Sequence, residues 1–176
     1  MDPKKGMEMI VKVGPHGYGH QGNPWEDKGQ SMLTHIFISY DSKRVYSIQT
    51  ACIQDGKLQL SDKHGGDGKM FKTVEINYPS EFLTGISGYE ENDLGDYMLR
   101  SLTFQTNRRK FGPFGLEKGA HFCIQMGTKK QLFGGFHGTS NSLYLYSIGV
   151  YVMPINPLED TELHTSTVVK KEKSSV

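Results

Sequence analysis

Ser42-Lys43-Arg44-Val45-Tyr46-Ser47-Ile48 and Ser142-Leu143-Tyr144-Leu145-Tyr146-Ser147-Ile148 share an opening Ser and then an apolar residue and Tyr-Ser-Ile at the same spacing. A weaker third copy, Leu99-Arg100-Ser101-Leu102, lies between them, with Arg100 54 residues after Tyr46 and 46 residues before Tyr146. Each copy follows a run that reads as a strand ending in a loop: His35–Tyr40, Phe82–Ser87 and Gln131–Phe136. A unit of about fifty residues built from such hairpins cannot enclose a core alone. Three of them must bury their inner faces together, which predicts three sheets around a pseudo-threefold axis. A propeller is the rival layout, but three blades are too few for one.

Outward from these copies the chain keeps the same texture. No twelve-residue window carries an apolar i, i+3, i+4, i+7 stripe free of Gly and Pro. Short runs rich in aromatic and β-branched residues recur instead, interrupted by turn chemistry every 8 to 12 positions or so. They are Met32–Tyr40, Val45–Ile53, Lys57–Leu60, Thr73–Tyr78, Leu83–Ser87, Leu99–Thr106, Ala120–Met126 and Tyr144–Val152. The breakers are Asp55-Gly56, His64-Gly65-Gly66-Asp67-Gly68, Tyr78-Pro79 and Gly112-Pro113. The fold class is all-β, with short antiparallel strands. The folded unit is expected to run from residue 7 to residue 153. Residues 1–6 and the Thr/Ser/Lys-rich stretch 154–176, which holds no aromatic residue, bury too little apolar area to offset their ordering entropy and read as mobile ends.

The 176 residues carry 20 Lys and Arg against 19 Asp and Glu, a net charge of +1. Electrostatic capture of nucleic acid or of an acidic membrane is not expected from that balance. No apolar run approaches the length of a bilayer span, so membrane insertion is not expected either. The first residues lack an apolar core and a small-residue cleavage site, so no signal peptide is expected and a cytoplasmic or nucleocytoplasmic location follows. The two cysteines, Cys52 and Cys123, cannot make a disulfide framework and are expected to be buried thiols.

Val13-Gly14-Pro15 with Gly17, Gly19, Gly22 and Trp25-Glu26-Asp27 resembles the N-terminal strand and glycine-rich loop of the jacalin-related plant lectins. The resemblance continues through Met98–Thr106, Phe111-Gly112-Pro113-Phe114-Gly115, Gly134-Gly135-Phe136-His137-Gly138 and Ile148-Gly149-Val150-Tyr151. It implies a β-prism of three four-stranded antiparallel sheets, in agreement with the repeat. Asp55-Gly56-Lys57, Leu60–Gly65 and Phe133–Gly138 are similar to a subgroup of that family whose members restrict virus movement or accumulation. The resemblance therefore implies a non-enzymatic binding protein of plant defence, acting against viruses, with no catalytic residue, metal or cofactor.

It also implies where a ligand would sit. Mannose-type members hold one sugar at the top of the prism, between the glycine-rich loop and a C-terminal Gly-x-x-x-Asp loop whose carboxylate accepts bonds from adjacent hydroxyls. Charge-assisted bonds of that kind are about twice as strong as neutral ones. The corresponding residues here are Gly17, Tyr18, Gly19, His20 and Gly22, facing Ser142, Leu143, Tyr144, Leu145 and Tyr146. Ser142 stands at the Gly position and Tyr146 at the Asp position, and the first-repeat loop Ser42–Tyr46 also ends in Tyr. Loss of a charged acceptor costs roughly 1.5–3 kcal/mol per bond, so mannose binding is expected to be weakened or lost. Two outcomes stay open: a lectin of altered mannose or glucose specificity, and a prism turned scaffold for a viral or host protein. The tyrosines at the loop ends, Tyr40, Tyr46, Tyr89, Tyr97, Tyr144 and Tyr146, suit either. Edge strands left by the prism are commonly covered by pairing, which would give a homodimer.

Other constellations carry less. His16 and His20 lack a third ligand for zinc. Gly66-Asp67-Gly68-Lys69 lacks the spacing of a phosphate loop and reads as a hairpin turn. Ser61, Asp62 and His64 are adjacent in sequence but form no nucleophile motif. Arg108-Arg109-Lys110 reads as a solvated turn.

Overall fold

The computed structural model describes residues 10–129 and 132–153, and the predicted mobile ends lie outside them. Among the described residues thirteen strands and no helix follow in order: β1 (Val11–Gly17), β2 (Asn23–Lys28), β3 (Leu33–Tyr40), β4 (Val45–Gln54), β5 (Lys57–Leu60), β6 (His64–Gly65) and β7 (Met70–Glu75). After them come β8 (Leu83–Asp93), β9 (Asp96–Thr106), β10 (Lys110–Gly115), β11 (Ala120–Gln125), β12 (Phe133–Ser140) and β13 (Leu145–Val152). They form three antiparallel sheets, ordered β1-β13-β12-β2, β5-β4-β3-β7 and β10-β9-β8-β11. The first sheet thus takes its strands from both ends of the described chain.

Two sheets have the expected four strands, and the middle one has five because β6 also pairs with β4. The cause is local. β5 and β6 run along successive parts of the same β4 edge. Between them Ser61 holds Thr50 of β4 with backbone and side chain together, its N–H donating to Thr50 O at 2.9 Å and its Oγ accepting the Thr50 N–H at 3.0 Å. In the other two sheets the matching strand stays whole and absorbs the irregularity as a bulge, between Val13 and His16 in β1 and between Phe111 and Phe114 in β10.

The inner faces meet in one core. Ile36, Ile38, Ile48 and Val74 come from one sheet, Ile86, Leu99, Leu102 and Phe104 from the next, and Phe136, Leu145, Ile148 and Val150 from the third. Phe104 and Phe136 are fully buried and meet edge-on across the axis, with centroids 6.3 Å apart. The sequence repeat is a structural one. Ser47, Ser101 and Ser147 are all buried, and each pairs with a glycine of the adjoining outer strand: Gly65, Gly115 and Gly17. These glycines have φ of 110°, 101° and 100°, and an added Cβ would overlap the carbonyl oxygen of Tyr46, Arg100 and Tyr146 respectively. Glycine is required there on both counts.

At the end of the prism away from these glycines, Glu81 is wholly buried. Its carboxylate accepts Arg109 Nε and Nη2 at 2.9 and 3.0 Å and Thr106 Oγ1 at 2.8 Å. The Arg109 bonds, opposed by burial and aided by Thr106, bring its pKa down to about 2. Arg109 is an exposed turn residue, as its sequence neighbourhood suggested, but its guanidinium also clamps the loop before β8 to the turn after β9. Cys52 is buried as expected, but Cys123 is exposed, because β11 turns it to the outer face while Phe122 and Ile124 enter the core.

Candidate functional site

Three loops meet at the apex, one from each repeat. In the β12–β13 loop, Asn141 Oδ1 accepts the N–H of Leu143 and of Tyr144, both at 2.8 Å. In the β3–β4 loop, Asp41 Oδ1 does the same for Lys43 and Arg44 at 2.7 and 3.0 Å. Such an Asx turn fixes the backbone by its side chain. The second atom of each Asx group then reaches the tyrosine five residues on. Asn141 Nδ2 donates to the Tyr146 hydroxyl at 3.1 Å, and the Tyr46 hydroxyl donates to Asp41 Oδ2 at 3.0 Å. Burial works against the Asp41 charge, yet the two N–H bonds and the phenol hold its carboxyl below its ordinary value. Burial and the bond to Asp41 push the Tyr46 phenol up.

The glycine-rich loop between β1 and β2 lies against this lock. Tyr18 N donates to Tyr146 O at 3.0 Å. A Cβ on Gly22 would come within 2.6 Å of Ser140 O and 2.9 Å of the Tyr146 ring. Gly17, Tyr18, Gly22 and Tyr146 are thus brought together. Gly19 and His20 are exposed at the rim, where His20 meets Tyr97 edge-on at 5.2 Å. The facing loop is divided. Ser142 and Leu143 are exposed, whereas the Leu145 side chain is wholly buried in the core. Tyr144 turns away toward the first repeat, under the Arg44 guanidinium at 3.9 Å and beside Tyr46 at 5.7 Å.

Two counterparts of the glycine loop were not recognised in the sequence as such. Gly65–Gly68, read there as a hairpin turn, holds the Tyr46 loop: Gly66 N donates to Tyr46 O at 3.1 Å and Gly68 abuts Tyr40 O and the Tyr46 ring. Gly115–Gly119 holds Arg100, with Leu116 N on Arg100 O at 2.9 Å. The signal that marks them is an aromatic residue before glycine at each start, in His16-Gly17, His64-Gly65 and Phe114-Gly115. His16 stacks on Phe122 and His64 on Trp25, so these rings seal the seams between sheets. His64 Nε2 also lies 2.9 Å from Asp27 Oδ2, tying the second sheet to the first.

The three apical positions cover one another in rotation. Lys43, Tyr97 and Leu143 are equivalent, each three residues before Tyr46, Arg100 and Tyr146. Leu143 packs over Gly66 of the first repeat, and the Lys43 carbonyl accepts Arg100 Nη1 of the second at 3.2 Å. Tyr97 lies on Tyr18 at 4.5 Å, over the glycine loop of the third. Arg44, 5% exposed, spans all three: it stacks on Tyr144 and donates to Asp96 Oδ1 at 3.3 Å and Tyr97 O at 3.1 Å. The Arg100 site has its own carboxylate, Glu91, which Lys118 and Arg100 bind and hold below the ordinary value. An apex so built offers backbone N–H groups, phenols and an imidazole; Asp41, Asp96 and Glu91 are engaged by protein groups, whereas Glu90 Oε2 is buried without a hydrogen-bond partner.

The chain matches the Jacalin-like lectin domain over residues 13–151. It is 39% identical over 153 residues to "Protein RESTRICTED TEV MOVEMENT 1" of Arabidopsis thaliana, an alignment covering 82% of this chain and 87% of that protein. Among solved structures, a mannose-binding jacalin-related lectin from Ananas comosus superposes with a TM-score of 0.71 at 34% identity, over 83% of this chain and 99% of that one. Single-chain recombinant jacalin superposes with a TM-score of 0.74 at 27% identity, over 86% and 99%. Domains of this kind are carbohydrate-binding and non-enzymatic. With its three-sheet prism, its threefold glycine loops and these matches along nearly all of the described residues, the chain belongs to the jacalin-like lectin family.

Proposed function

We propose that this protein is a lectin-like binding module of plant antiviral defence, working in the cytoplasm or nucleocytoplasm, in which mannose-type recognition at the apex is weakened or lost. One observation carries the loss. Where a carboxylate would face the sugar hydroxyls, Tyr146 places a phenol that is held by its own loop through Asn141. A phenol can stack on a sugar face or make a single hydroxyl bond; it cannot accept two bonds with a full charge. The antiviral role is supported by the likeness to the Arabidopsis protein whose name records restriction of virus movement.

Thermal denaturation with mannose oligosaccharides tests the reading, because a ligand bound only by the native state raises Tm. The wild type should shift little at millimolar sugar and Tyr146→Asp should shift clearly more. A wild-type shift of ordinary lectin size, unimproved by the substitution, would overturn it. A second reading follows from the same rings: the aromatic apex, with Leu94 at 103% and Leu143 at 59% exposure, recognises a viral or host protein. Its check is capture from plant extract in excess free mannose, and capture abolished by the sugar would count against it. Homodimerisation through the prism's edge strands belongs to the same proposal and is read from sedimentation velocity.

A further inference from the structure

The outer face of the first sheet carries a trough of about 420 Å³ that reaches Gly19 of the glycine-rich loop at one end. Its walls are the two edge strands, with Lys12 and Pro15 on β1 and Pro24 and Glu26 on β2; His137 and Thr139 of β12 form its floor. The floor is low for a reason visible in the register. Gly149 pairs with His137 in β13, where the matching residues of the other two sheets are Gln49 opposite Phe37 and Thr103 opposite Ser87. A Cβ on Gly149 would overlap the His137 ring, which lies across β13 and bonds Val13 O at 2.9 Å. Burial keeps that imidazole below its ordinary pKa, so at neutral pH the floor is uncharged. Thr139 Oγ1 and Ser147 Oγ, 2.8 Å apart, place hydroxyls beside it.

The rim is oppositely charged and built. Glu26 accepts the Tyr151 hydroxyl and Lys28 Nζ, which keep its carboxyl ionised. Lys12 Nζ stands 5.8 Å over the Tyr151 ring. Lys12 and Glu26 stand on facing walls, so the trough presents a donor across from an acceptor, and Lys28 pairs with Glu26 beside it. Proline rings on both walls offer apolar contact to C–H groups, and the volume lies within the range of small-ligand sites. Donor, acceptor and apolar wall together match a neutral ring with many hydroxyls.

We infer that this trough is a second carbohydrate site, lateral to the apex, taking a neutral pyranose with Glu26 as hydroxyl acceptor and Lys12 as donor. The choice of a sugar rests on the lectin reading, but the site shares only Gly19 with the apical residues named above and does not use Tyr146. In it the carboxylate missing from position 146 has a counterpart elsewhere on the same sheet.

The test is amide-shift mapping on the full chain, titrated with methyl α-mannopyranoside and separately with methyl α-galactopyranoside. Saturable shifts should cluster at Lys12, Glu26 and His137–Thr139 for at least one of them. Glu26→Gln and Lys12→Ala, both exposed, should each weaken that response about tenfold, the loss of one charged bond. Tyr146→Asp should leave it unchanged while adding shifts at Tyr18 and His20 if the apical reading holds. Shifts confined to Tyr18–His20 and Ser142–Tyr146, a trough response indifferent to both rim variants, or no saturable shift with either glycoside would overturn the proposal.

Discussion

The two ends of the prism use carboxylates in opposite ways. At the base, Glu81 is fully buried and satisfied by Arg109 and Thr106, so one charge closes the loop entering β8. At the apex, Asp41 and its neutral counterpart Asn141 lie near the surface, and each orders one loop and pins one phenol. A buried, paired charge is costly to disturb because its partner is left without water. A half-exposed lock is cheap to change. The two Asx locks are thus the apical positions at which side chains can be exchanged with little loss of fold, unlike the buried Arg44 and Arg100 beneath them.

Arg109→Ala should break this contrast most sharply. It strands the Glu81 charge inside the protein, and Tm should fall on the order of 10 °C; a change of a degree or two would show that the base clamp holds little. Acid is the next lever. Glu81 has a folded pKa of about 2 against an ordinary value of 4.5, so its contribution is complete above pH 5 or so and is lost as pH falls through the folded value. That loss should be roughly 3 kcal/mol in urea unfolding compared at pH 6 and pH 2. Asp41, also depressed, adds to it in the same direction. Arg109→Ala should flatten most of the slope, and an unchanged slope would assign it to other carboxylates. The smallest effect is expected from Asp41→Asn, which turns the charged lock into a copy of the Asn141 one. A loss of about 1 kcal/mol is expected from the urea midpoint, whereas a loss as large as that at the base would erase the distinction between the ends.

Much of this was legible in the residues. The Tyr-Ser-Ile copies marked equivalent positions because Ser must be small and buried beside a glycine, and Ile must face the axis. Strands with clear alternation, such as Val45–Gln54 and Leu145–Val152, were found within a residue or so. Three strands were missed: β6 is only His64-Gly65 at the head of a glycine run, and the other two hide for opposite reasons. β2 offers only Trp25 to the seam between sheets, so its pattern barely alternates, and β10 contains Gly112-Pro113, which reads as a turn although the strand absorbs it as a bulge. The β8–β9 hairpin was read short, because Glu90–Tyr97 is acidic and looks like loop; it pairs as far as Asp93 and Asp96, steadied by Arg44 and by Tyr97 on Tyr18. The residue run 70–75 was read three positions too late, since Met70 and Phe71 pair on an exposed edge where hydrophobicity is no guide. At the site, the spacing from Asp41 to Tyr46 and from Asn141 to Tyr146 was on view, but a bond between side chains five apart appears only once the turn brings them face to face.

The rotation of Lys43, Tyr97 and Leu143 over their neighbours has a consequence for how this apex can change over evolutionary time. No loop there is a private possession of its own repeat. A substitution that reshapes one binding surface trims or crowds the next one around, always in the same sense of turn, so new specificities should arise as correlated sets of changes travelling around the prism.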